Sequence, residues 1–197
     1  MTKTNSPRRS RGRTVKRDST KLTLIIVGGV FVLAIIGFII YRLVAPSLTG
    51  AIASLQTFPD VEVGHAEGAL TYAQTPPVGG VHNPAWQNCG IYAEPIGSEN
   101  AVHSMEHGAV WITYRPDLAV AEVEKLRVLV RGRRYTLLSP FADGPAPIVA
   151  SAWGSQVQVD SSDDFRLEQF LSQFEQGPQT LEPGASCSGA VGLPVER

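Results

Sequence analysis

An uncharged run of twenty residues, Leu22 to Tyr41, constrains this chain more than any other feature. As a helix rising about 1.5 Å per residue it spans about 30 Å, the hydrocarbon thickness of a bilayer. The run predicts a transmembrane helix over residues 22–44. Residues 1–21 hold eight Lys or Arg against one acid, Asp18, whereas residues 45–197 hold eight against seventeen acids. Positive charge beside a span stays on the cytoplasmic side. The expectation is a cell-membrane protein with one pass, a basic cytoplasmic tail over 1–21 and an acidic domain outside. A cleaved signal peptide fits less well, because its apolar part is about 7–15 residues and ends beside the cleavage site. Here the small residues Ala51-Ile-Ala53 come well after Tyr41. The basic tail lacks interleaved aromatics, so its expected partner is anionic lipid, at about 1 kcal/mol per Lys or Arg, and not nucleic acid. Gly28, Gly29 and Gly37 do not make the GxxxG spacing of paired spans.

Beyond the run the chain is long enough for one domain with its own core. Residues 45–58 read as a linker, 59–176 as an extracytoplasmic α+β domain, and 177–197, rich in Pro and Gly, as a tail packed on it. Two helices are signposted. In the first, Asp117 is the expected cap, Ala119, Val123, Leu126 and Val130 share a face, Glu122/Lys125 and Glu124/Arg127 pair at i,i+3, and Gly132 stops it. In the second, Ser161-Ser-Asp-Asp164 starts a segment with Leu167, Phe170, Leu171 and Phe174 on one stripe, closed by Gly177-Pro178. Strand patterns cover Gly108–Tyr114, Arg134–Leu138 and Ile148–Val159, the last broken at Gly154, with a weaker one at Gly68–Tyr72. The order predicts a mainly antiparallel sheet with two helices on one face, and the ferredoxin-like arrangement is the candidate topology.

Cys89 and Cys187 are the two cysteines. Outside the cytoplasm thiols oxidise, and a bridge between them would tie the tail to the domain. His103-Ser-Met-Glu-His-Gly108 is the cluster with evident chemistry. His103 and His107 come together on a helix or on a strand, and on a strand Met105 points with them. Two imidazoles and a thioether suit copper, above all Cu(I), better than zinc, which asks for further N, O or thiolate donors. His82, after Pro76-Pro77-Val-Gly-Gly80, is the further candidate ligand, with Glu106 behind an imidazole as its hydrogen-bond partner. His65 stands alone and reads as a surface histidine. The same pair, beside the apolar run Ala109–Tyr114, is equally open to a structural role satisfied by backbone and Glu106 without an ion. The letters also match His-x-x-Glu-His, a zinc-hydrolase motif that needs a sustained helix, and the strand-forming run after Gly108 argues against one. No nucleophile elbow, P-loop or dinucleotide glycine motif occurs. No residue is assigned as catalytic.

Pro76–His82, Trp86–Tyr92, Ala101–Tyr114 and Ala150–Gly154 together resemble the bacterial family of domains of unknown function numbered 3105, over about residues 55 to 190. Actinobacterial members are similar in layout, with a basic tail, one span and a late cysteine. The resemblance implies that His82, Cys89, His103, Glu106 and His107 belong to one motif set, and it implies no activity. The favoured reading is a membrane-anchored outer domain that binds a transition metal through His82, His103, Met105 and His107, with copper or zinc as cofactor. The alternative is an interaction module for an envelope protein partner, with the histidines ordering a loop. A metal-dependent hydrolase using Glu106 comes third.

Overall fold

The computed structural model describes residues 19–44 and 50–197. Residues 1–18 of the expected basic tail over 1–21, and the first residues of the expected linker, 45–49, lie outside the described residues. Two compact units result, residues 1–45 and 46–197. In the first, helix α1 covers Ser19–Val44. Its side chains are described over residues 26–38, where Ile26, Phe31, Leu33 and Phe38 are all exposed. Among the described residues no helix is long and apolar enough to cross a membrane.

The second unit is an α+β domain. Its strands are β1 (Gln56–Thr57), β2 (Gly90–Ile91), β3 (Val110–Tyr114), β4 (Thr136–Pro140), β5 (Ile148–Ala152) and β6 (Ser155–Val159). Its helices are α2 (Ser98–Glu106), α3 (Val120–Val130) and α4 (Arg166–Phe174). The sheet order is β1-β6-β5-β3-β4-β2. β3, β5, β6 and β1 are antiparallel to their neighbours in turn, while β4 runs parallel to both β3 and β2. This mixed sheet corrects the ferredoxin-like expectation. There, two parallel strands joined by a helix are separated by a third; here β3 and β4, joined by α3, are direct neighbours.

Side-chain alternation along the strands divides the core between two faces. On one face Val110, Ile112, Leu138, Ile148, Ala150, Val157 and Val159 pack with Leu126 and Val130 of α3 and with Leu167, Phe170, Leu171 and Phe174 of α4. That is the two-helix face expected from the periodicity. On the other, Trp111 and Leu137 pack with Ala101, Val102 and Met105 of α2, and with Cys89 and Cys187. The cross-strand neighbours of Trp111 are Leu137 and Ser151, and its indole N–H donates to Ser139 Oγ at 3.0 Å.

Several boundaries differ from expectation for local reasons. Asp117 does not cap α3; Ala119 occupies that position, and Asp117 faces Arg115 at 3.8 Å. Ser161–Asp164 forms a turn before α4 whose hydroxyls are drawn to Glu122 instead of to the helix. The i,i+3 pairs do form, at 3.0 Å for Lys125–Glu122 and 3.8 Å for Arg127–Glu124. Gly68–Tyr72 is not a strand, since the Leu70 N–H goes to the Glu99 carboxylate at 3.0 Å and not to a ladder. Ile148–Val159 is a hairpin whose turn contains Gly154 at φ +64°. Residues expected as linker contribute β1 and the buried Ile52. In the final segment Ile91 N–H donates to Glu196 O at 2.9 Å and Val195 N–H to Ile91 O at 2.7 Å, which extends the β2 edge.

Candidate metal centre

Of the two backbone states open to the His103–His107 segment, the chain takes the helix. Residues 98–106 form α2, His107 closes it, and Gly108 at φ +91° turns the chain into β3. Nine residues suffice because Ala101, Val102 and Met105 give the helix one small apolar stripe to lay on Trp111. The i, i+3, i+4 rule then sends His103, Glu106 and His107 to a common side and Met105 away from them. Met105 is wholly buried in the core. It is not a companion of the histidines, which corrects the expected ligand set and removes the thioether that favoured copper.

Opposite α2 lies a second pair. His65 and His82 form an isolated parallel bridge, in which His82 N–H donates to Gly64 O at 2.9 Å and Ala66 N–H to His82 O at 2.8 Å. The His65 ring centroid is 4.7 Å from that of His82 and 5.0 Å from that of His103. His65 is therefore part of the site and not the isolated surface residue its flanks suggested. All four histidines of the chain meet here.

The loop before His82 is built to aim it. Gly154 N–H donates to Val78 O at 2.7 Å and the Gln156 amide donates to Pro76 O at 3.0 Å, fastening residues 76–78 to the β5–β6 hairpin. Gly79 follows at φ +140°, where a Cβ would lie 2.5 Å from Val61 Cγ1 and 3.2 Å from the Trp153 ring. Only glycine fits that approach. Gly80 then offers its carbonyl to His82 Nδ1 at 2.7 Å.

The same device is repeated twice. His103 Nδ1 lies 2.7 Å from Asn83 O and His107 Nδ1 lies 2.7 Å from Ser186 O. A carbonyl oxygen only accepts, so each Nδ1 carries a hydrogen and each ring turns its Nε2 inward. There His103 Nε2 is 3.0 Å from His107 Nε2, and His82 Nε2 is 3.0 Å from Glu106 Oε2. His65 Nε2 is 3.7 Å from the same carboxylate oxygen. Glu106 thus stands among the imidazoles as a possible donor itself, where sequence reasoning had put it behind one.

One donor atom each from His65, His82, His103 and Glu106 lies within 4.8 Å of all the others. His82, His103 and Glu106 are buried, while the His65 side chain is 46 % exposed and marks the open side. Burial above all pushes the His103 imidazole below its ordinary value; the Asn83 bond opposes this, and the charges of His107 and His82 add to it. The Trp153 ring stands 5.8 Å from His82, and Trp86 stands 5.8 Å from His103 and 5.1 Å from His107. His107 sits at one end of the group, 3.4 Å from the half-exposed Glu182 carboxylate.

The Cys89–Cys187 disulfide forms as expected, bridging 98 positions of sequence. It holds the strand of tail that carries Ser186, and Cys89 N–H donates to Cys187 O at 2.7 Å. The carbonyls of Gly80, Asn83 and Ser186 were invisible to residue-type reasoning, because any residue supplies one. Glu182 was missed for lack of a nearby motif. For His65 the one available signal was economy: a chain with only four histidines had three of them in candidate positions.

Neither a curated protein nor a solved structure matches the chain significantly. A family model described as "Protein of unknown function (DUF3105)" matches residues 65–189, beginning at the first ligand candidate and enclosing all four histidines and both cysteines. With most of its length inside that match, the chain belongs to the DUF3105 family.

Proposed function

We propose that this protein is a membrane-anchored metal-binding protein whose outer domain holds one transition-metal ion through His65, His82, His103 and Glu106. The observation that carries the reading is convergence: one donor atom each from His65, His82, His103 and Glu106 lies within 4.8 Å of all the others, and three of the four side chains are buried. His82 Nε2 at 3.0 Å and His65 Nε2 at 3.7 Å approach the same Glu106 oxygen, so one cation there is within reach of all three. Imidazoles whose Nδ1–H is tied to a carbonyl are the usual form of metal-bound histidine. Burial of His103 favours the neutral ring that a metal needs.

Three nitrogens and one oxygen are a zinc-type donor set, and four protein donors complete a tetrahedral shell. Such a closed shell suits holding an ion more than turning over a substrate, which would need a position open to water. Copper keeps no special claim once Met105 is in the core. The open side at His65 is the route of entry.

Anchoring rests on the sequence: the uncharged run Leu22–Tyr41 is about 30 Å long as a helix, longer than the stretch, residues 26–38, whose side chains the structure describes and in which no spanning helix is found. The described side chains of α1 are apolar and exposed, as in a helix surrounded by lipid. The basic tail then lies on the cytoplasmic leaflet, with anionic lipid as its partner.

Elemental analysis of the purified full chain after zinc loading and desalting tests the metal. About one ion per chain is expected, falling to near zero in His82→Ala/His103→Ala, with copper loading run in parallel. An ion content equal in the wild type and the double variant rejects the reading. Protease protection in sealed vesicles tests the orientation: the outer domain is expected to resist cleavage only from the cytoplasmic side.

A further inference from the structure

A cavity of about 460 Å³ lies beside the disulfide and is lined by Arg133, Arg134, Arg197, Ser186 and Ser188 together with the two half-cystines. No acidic residue lines it. That is unexpected in a domain with eight bases against seventeen acids. Elsewhere in the domain the bases are neutralised: Arg115 by Asp117, Lys125 by Glu122 and Asp163, Arg127 and Arg131 by Glu196, and Arg166 by Asp164. Arg133 gives one arm to Glu175 at 2.8 Å. Among the described residues, Arg134 and Arg197 alone of the eight have no carboxylate partner, and both line this cavity.

Two exposed guanidinium groups with no Asp or Glu partner, in a domain where acids are in excess, line one open, cationic cavity. Each presents a planar fork that matches an oxyanion bidentately. Ser186 and Ser188 also line it, with the Ser186 hydroxyl donating to Ser188 O at 2.8 Å. The volume is that of a small-molecule site and leaves room for an organic group behind the anion. We propose that this cavity binds a dianionic phosphate monoester, with Arg134 and Arg197 as its two forks and Arg133 as a third, shared cation. The proposal does not depend on the metal centre, and no metal is needed to test it.

The test is a titration of the full chain, disulfide intact and in neutral detergent, with inorganic phosphate, phenyl phosphate and a short-chain phosphatidic acid. Calorimetry gives affinity, and the Arg Nε–H resonances report which side chains move. Saturable binding is expected, with shifts at Arg134 and Arg197. Affinity should fall about tenfold or more in Arg134→Ala/Arg197→Ala, and by less in the lysine double variant, which keeps the charges but loses the forks. Tighter binding of phenyl phosphate than of phosphatidic acid identifies a free phosphate ester as the ligand; the reverse order identifies a lipid headgroup. Equal curves for the wild type and the alanine variant, or wild-type binding without shifts at either arginine, overturn the proposal. Should the alanine variant melt early, the lysine variant and the wild-type resonances still decide it.

Discussion

At the scale of single residues, the site depends on atoms that carry no side-chain identity. Gly80 O can hold His82 Nδ1 only because Gly79 lets the chain pass between Val61 and Trp153 at φ +140°. Gly79→Ala forces a Cβ into that gap and a side chain into a backbone region it rarely adopts. A loss of about 1–3 kcal/mol is expected, read as a lower Tm, together with weaker zinc retention because His82 loses its orientation. An unchanged Tm would show that Val61 and the loop yield to the added methyl without cost, and would reject the steric role of Gly79. His103, Glu106 and His107 were legible from spacing alone, since i, i+3 and i+4 meet on a helix whatever else surrounds them. His65 was not, because its approach to His82 is made by a single bridge between segments with no pattern of their own.

At the scale of elements, long amphipathic stripes were readable and short ones were not. α4 shows four apolar residues at helical spacing, all buried on one face. α2 has only Ala101, Val102 and Met105 to show, and the β-branched run after it drew the reading toward a strand. Its helicity comes from tertiary burial more than from its own pattern. The link between α3 and the turn before α4 was likewise hidden, although its parts were in plain view. The Glu122 carboxylate accepts from Ser162 N–H at 2.8 Å, from the Ser161 and Ser162 hydroxyls at 3.0 and 2.8 Å, and from Lys125 at 3.0 Å. These bonds, the Ser162 N–H first, hold its pKa down at about 2. A carboxyl depressed in the folded state stabilises fully above its unfolded pKa, near 4.3, and loses that contribution as pH falls toward its folded value. Glu122→Gln should therefore lower Tm at pH 6 and converge with the wild type by about pH 2. Thermal melts across that range check it; a constant difference at every pH would exclude the ionised carboxylate as the cause.

At the scale of the whole molecule, the alternation of apolar residues was enough to assign most strands and the α3–α4 face, whereas sheet order was not encoded locally. Two of the six strands have two residues each, and the parallel β3–β4 pair is set by where α3 packs. The disulfide is the longest-range covalent constraint in the domain. Closing a loop of 98 positions is worth about 4–5 kcal/mol in the chain-entropy model. Cys89→Ser/Cys187→Ser should lower unfolding free energy by about that amount in denaturant melts. It should also weaken zinc retention, since Ser186 O no longer has a fixed place against His107. Retention equal to the wild type would separate His107 and the tail from the ion.

The tail that supplies the Ser186 carbonyl is stapled in place by a bond that cytosolic reductants keep open. On the proposed topology, a newly made chain, still a dithiol, would meet the metal pools of the cytosol with one wall of its histidine nest unfastened. Oxidation after export would close that wall, and metal capture would then be confined to the outer side of the membrane.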